Sequence, residues 1–197
     1  MFHIAESFLS MKVNSKFYGY ILICLFGLIT SGGAFARGIN IEYAASDLKE
    51  GVYLVNARIT FSFDDEVLNA LKHGVSLAIN IYVRLEQKRK WLWDKTVKKH
   101  VLDFELQYHP LSNNYLVINL DSGQREQFLT LDEALAYLGS IKNYNLVNKN
   151  ELSDKKHYQG LIKAELNIES LPPPLKTAAY VSSEWQLESK WYEWDVR

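Results

Sequence analysis

Between Val75 and Tyr108 apolar and polar side chains alternate over a length that extended backbone explains. Val75, Leu77, Ile79, Ile81, Val83 and Leu85 recur at every second position, with Ser76, Asn80, Tyr82, Arg84 and Glu86 among the residues between them. A period of two puts the first set on one face of a strand and the second on the other. The charged stretch Gln87-Lys88-Arg89-Lys90 interrupts the pattern, and Trp91-Leu92-Trp93-Asp94 follows it. Leu102, Phe104, Leu106 and Tyr108 then resume it, opposite Asp103, Glu105 and Gln107. The spacing predicts a long β-hairpin with two tryptophans at its tip.

The flanking segments read in the same way. Ile39 to Asp47 alternates weakly, Leu48-Lys49-Glu50-Gly51 is a turn, and Tyr53, Val55, Ala57, Ile59, Phe61 and Phe63 mark a second strand. Asp64 stands where it caps a helix running to Leu71, with Asp65 and Glu66 at the positive end of its dipole and Gly74 past its end. His73 lies in the last turn, placed to interact with the helix carboxyl end. After the hairpin, Pro110 to Asn114 is a turn by composition, Leu116, Ile118 and Leu120 mark a strand, and Arg125 to Leu129 its return. Thr130-Leu131-Asp132-Glu133 is a capping box that opens a helix ending at Leu138. Asn143 to Lys156 reads as a polar loop, and Tyr158, Gly160, Ile162, Ala164, Leu166 and Ile168 as another half-buried strand. Pro172-Pro173-Pro174 precedes a brief helix from Leu175 to Val181. Trp185 to Val196 reads as a closing strand whose phase slips near Ser189, as at a bulge. The fold class expected is mainly β: an antiparallel two-sheet β-sandwich-like domain with two or three short connecting helices. A curled single sheet or open barrel is the alternative.

The amino-terminal segment has a different character. Lys12 and Lys16 precede the uncharged run Phe17 to Thr30, and Ala34-Phe35-Ala36 has the small-x-small form that signal peptidase cuts. The expected organisation is an N-terminal extension and cleaved signal peptide over residues 1–36, then a single β-rich domain over residues 37–197. That places the domain in the periplasm with no stable membrane insertion after cleavage. An uncleaved inner-membrane anchor is the alternative, because Phe17 to Ala36 is uncharged over about one membrane span, although Ser31, Gly32 and Gly33 dilute it. The single cysteine, Cys24, falls inside this segment. The exported part therefore has no thiol for a disulfide or a metal.

Lys and Arg number 22 against 23 Asp and Glu, so the basic excess of a nucleic-acid binder is missing. His3, His73, His100, His109 and His157 make no zinc-binding spacing, and neither a metal nor a cofactor is expected. No serine sits in a G-x-S-x-G turn. Asp103 and Glu105 share one strand face at roughly 7 Å, a separation that glycoside hydrolysis can use. Alternating acidic residues are also ordinary on the wet face of a strand. The tryptophans fall into two clusters, Trp91/Trp93 and Trp185/Trp191/Trp194. Both clusters fit packing against the sheet, and the first also fits a partner-facing tip, since tryptophan dominates binding hot spots. The candidate binding surface is Trp91, Trp93 and Asp94 with Arg89 and Lys95, joined by Lys88 and Lys90.

Several longer blocks carry a resemblance. They are Ala70-Leu71-Lys72-His73-Gly74-Val75, Trp91-Leu92-Trp93-Asp94, the turn Tyr108 to Tyr115, Thr130 to Leu135, Leu171 to Leu175 and Trp185 to Trp191. With them the chain resembles the proteobacterial domain-of-unknown-function family numbered 4390. The resemblance implies an exported single-domain protein, often encoded near a membrane sensor kinase of the nitrogen-regulation type, and it brings no catalytic residues. The function expected is a non-enzymatic periplasmic protein-interaction module whose partner is an envelope protein such as that sensor kinase. A periplasmic carrier of a small apolar ligand or lipid is the alternative, and a cell-wall glycan enzyme a further one.

Overall fold

In a computed structural model, which describes residues 38–196, the alternating runs become strands. The extension and signal sequence expected over residues 1–36 lie outside the described residues. The elements are β1 (Gly38–Lys49), β2 (Val52–Ser62), α1 (Asp65–Lys72), β3 (Leu77–Gln87), β4 (Lys95–His109), β5 (Asn114–Asn119) and β6 (Arg125–Phe128). They continue with α2 (Leu131–Leu138), β7 (Ser140–Asn148), β8 (Tyr158–Leu166), α3 (Pro173–Val181) and β9 (Tyr192–Val196). A three-stranded sheet has the order β1-β2-β7, and a six-stranded sheet the order β6-β5-β4-β3-β8-β9. Every pairing is antiparallel. The expected mainly β, two-sheet sandwich is what forms, with three helices at its connections.

The long hairpin is the middle of the larger sheet. Leu77 sits opposite Leu106, Ile81 opposite Leu102, and Gln87 opposite Lys95. On its other side β3 pairs with β8, Ile79 facing Leu166 and Leu85 facing Gly160. Leu77, Ile79, Ile81, Val83 and Leu85 are all fully buried, against Val55, Ala57 and Ile59 of β2 in one apolar cluster. Full burial of each such side chain contributes about 1.5–3 kcal/mol, which is why the register of β3 cannot slip by one residue.

The helices follow their end signals. Thr130 and Glu133 form the capping box, each side chain accepting from the other's backbone N–H. Asp64 holds the N-cap position of α1, and its carbonyl accepts from Leu68 N–H, but its carboxylate makes no capping hydrogen bond. His73 Nδ1 lies 2.6 Å from Asn69 O, the carboxyl-end role expected of it. Two segments differ from expectation. Part of the polar loop is strand β7, with Ile141, Leu146 and Val147 buried. Register shifts in its pairing with β2 break the period of two, which hid it in the sequence. The closing strand is shorter than read, because β9 begins only at Tyr192. Ahead of it, Ser189 N–H donates to Ala164 O at 2.8 Å and Ser189 Oγ accepts from Ala164 N–H at 3.0 Å. Here a side chain replaces a backbone acceptor where the strand phase slips.

Candidate interaction surface at the hairpin tip

Residues 88–94 connect β3 to β4, and one carboxylate orders them. Asp94 Oδ2 accepts from Lys88 Nζ at 2.8 Å and Asp94 Oδ1 accepts from Arg89 N–H at 3.1 Å. Lys88 N–H in turn donates to His157 O at 3.0 Å, tying the tip to the loop before β8. Above this clamp Trp91 is 94% exposed, Leu92 70% and Trp93 84%. Arg89, Lys90 and Lys95 are exposed beside them. The backbone bends through residues 90–92, so the two-residue spacing of the indoles does not impose the shared face of an extended strand.

The two tryptophan clusters therefore part company. Trp185 is fully buried and Trp194 nearly so. Trp191 is half-buried, its ring 4.4 Å from the Arg84 guanidinium carbon, a cation–π distance. Packing against the sheet holds for this cluster, whereas Trp91 and Trp93 stay exposed at the tip. Asp94, read from the sequence as a flanking surface group, is instead the residue that closes the loop. The Lys88 ammonium and then the Arg89 N–H hold its carboxyl below the ordinary aspartate value. A group lowered in this way supports the closed loop above its ordinary value, and that support is lost as pH falls through the depressed one. Asp94→Ala is expected to leave the melting temperature essentially unchanged, as for a surface substitution. It should at the same time speed hydrogen exchange at the Arg89 amide, as NMR would show.

Asp103 and Glu105 lie on the outer face of the larger sheet, away from the core. Glu105 accepts from Gln107 Nε2 at 2.9 Å. The carboxylate that approaches Asp103 is Asp121, from the β5–β6 turn, whose Oδ2 accepts the Asp103 N–H at 3.3 Å. Sequence reasoning missed this neighbour because it depends on the β4–β5 pairing. Burial raises the Asp103 carboxyl above its ordinary value, and the Asp121 charge raises it further. Its Oδ1 is buried without a hydrogen-bond partner. Because the folded value is raised, ionisation costs stability as pH rises through it. Asp103→Asn, which keeps the shape and removes the charge, should then modestly stabilise the fold at neutral pH. The gain should vanish in acid below the ordinary aspartate value, as urea unfolding at the two pH values would measure.

An open cleft of about 540 Å³ lies where β7 and α2 meet β4, lined by Leu102, Phe104, Leu138, Ile141, Tyr137 and Tyr144 among others. His100 lies next to the lining residue Tyr144, with Nε2 3.1 Å from Leu146 O and Nδ1 3.2 Å from the Tyr144 hydroxyl. Among the described residues no group of three or more His, Cys, Asp or Glu is placed to hold a metal ion. None of the described helices is long and apolar enough to cross a membrane.

No curated protein and no solved structure matches the chain. A family model described as "Domain of unknown function (DUF4390)" matches residues 36–195, essentially the whole folded domain, and the chain belongs to that family.

Proposed function

We propose that this domain is a non-enzymatic module of the cell envelope, exported to the periplasm, that works by contact through the β3–β4 tip. The observation that carries the reading is the run Trp91-Leu92-Trp93, three large apolar side chains in a row, exposed on a loop that Asp94 holds in shape. Soluble monomers rarely leave such a patch bare unless it meets a partner. An envelope protein such as a sensor kinase's outer domain is the partner suggested by the family resemblance. To test the contact, wild type and Trp91→Ala/Trp93→Ala would be compared for retention on isolated envelopes and for melting temperature. Loss of retention with melting unchanged is expected, since neither indole packs on the core. A folded variant retained as well as wild type would sink the reading.

The cleft beside β7 supports a second reading, a carrier of a small apolar molecule. Leu102, Phe104, Leu138 and Ile141 give it an apolar floor, while Tyr137 and Tyr144 add polar tips. Stabilisation of the protein by an apolar probe, abolished by Ile141→Lys in a folded variant, would favour it over tip contact.

A further inference from the structure

We infer that the surface met by the tip is an anionic phospholipid bilayer, into whose headgroup layer Trp91, Leu92 and Trp93 insert. This rests on the tip being the contact surface and assigns what it touches. Three features point there together: the residue types at the apex, the charge around them, and the shape.

Indole rings favour the membrane–water boundary, where an apolar body and a polar N–H are both accommodated. Trp91 and Trp93 flank a leucine at the apex of the hairpin, and all three are open to solvent. Around this apex Lys88, Arg89, Lys90 and Lys95 are exposed, and Asp94 is the one acidic residue between Lys88 and Lys95. That carboxylate is engaged by Lys88 in a 2.8 Å ion pair, so Arg89, Lys90 and Lys95 are left to face outward. At the base of the tip, the loop held by the Lys88–His157 hydrogen bond carries exposed Lys155 and Lys156 with Asp154 beside them, and Glu86 and Glu193 face Lys88 rather than the apex. The whole chain nevertheless carries a formal net charge of −1. Positive charge is gathered around the aromatic apex in a protein that has none overall, which complements phosphate headgroups. Long basic side chains there can reach headgroups while the rings sink below them.

Shape separates a bilayer from a protein. A stable protein interface covers roughly 800 Å² on each side, with hot-spot residues at the centre of a close-fitting rim. Three residues at the apex of a hairpin are flanked on their own loop only by a few charged side chains, too small a surround for an interface of that extent. A bilayer, being deformable, admits an exposed apex of this size without one.

The test is co-sedimentation of the natively processed protein with vesicles of phosphatidylglycerol and phosphatidylethanolamine, and with vesicles of phosphatidylcholine alone. Wild type should pellet with the anionic vesicles, weakly with the neutral ones, and less as salt is raised. Lys90→Gln/Lys95→Gln should lower anionic-vesicle affinity about fivefold per charge removed, the equivalent of about 1 kcal/mol for each basic residue near such a surface. Trp91→Ala/Trp93→Ala should lower it by more than about tenfold. Wild type that ignores the vesicles while its retention on envelopes still depends on Trp91 and Trp93 would overturn the lipid assignment. A protein or cell-wall glycan would then be the surface touched. Vesicle binding unaffected by the tryptophan pair in a folded variant would overturn the inference as well, because the tip would not be the inserting element.

Discussion

Trp185→Ala is expected to cost about 3–5 kcal/mol, the range for truncating a large buried aromatic. Trp185 is fully buried, and its Nε1–H donates to Glu66 Oε1 at 2.9 Å. The ring thus joins the segment after α3 to helix α1, far away in sequence. Natural domains are stable by about 5–15 kcal/mol in total, so this one change takes a large share. It should lower the melting temperature by about 10 °C or more for a domain of this size. There is also a pH signature. The Trp185 hydrogen bond is the leading cause that holds the Glu66 carboxyl below its ordinary value. Its support for the fold is present above the ordinary glutamate value and lost as pH falls through the depressed one. The gap between wild type and Trp185→Phe should therefore narrow in acid, where Glu66 is protonated in both. A gap independent of pH would show that packing alone is at work there.

Gly160→Ala is expected to be the next most damaging change, for the opposite reason. A Cβ built at Gly160 would lie 2.2 Å from two carbons of the Trp194 ring. The two residues are cross-strand partners on β8 and β9, and the ring fills the space a side chain would take. Trp194 also reaches across to β1, where its Nε1–H donates to Ser46 Oγ at 3.1 Å. An added methyl must push the ring from this place, at a cost of about 1–3 kcal/mol or more. The explanation is specific to the pair. In a Trp194→Ala background the same glycine change should be close to neutral, and a double-mutant cycle by urea unfolding would measure the difference. Additive losses would mean that Gly160 is needed for some reason other than the ring.

These two residues also show where reading the chain stops. The β3–β4 hairpin was legible because its faces differ along most of their length, and α2 because Thr130 and Glu133 stand three apart. Gly160 occupies an apolar slot of an alternating strand, and nothing local announces that a tryptophan from β9 lies over it. Strand β7 escaped because its bulged pairing with β2 destroys the period on which strand recognition relies. The tip was half legible. Trp194 alternates with Val196, and Trp185 with Leu187, so each belongs to a buried face. Trp91-Leu92-Trp93 has no alternation and is bracketed by Lys90 and Asp94, so it belongs to no face. Charge on both sides of an unbroken apolar triplet was the available signal that these indoles stay outside. The role of Asp94 was hidden, since it depends on the loop folding back to place Lys88 and Arg89 within reach. Asp121 was hidden in the same way, behind the pairing of β4 with β5.

Two of the five tryptophans must be bare in the free protein and covered when it works. Iodide quenching of indole fluorescence measures this directly, with Trp91→Ala/Trp93→Ala identifying the tip contribution by difference. In the free protein that contribution should be fully quenched, and addition of envelope membranes should shield it while Trp185 and Trp194 stay unchanged. A tip contribution already shielded in the free protein, or one that remains fully open to iodide in the presence of envelopes, would contradict the account.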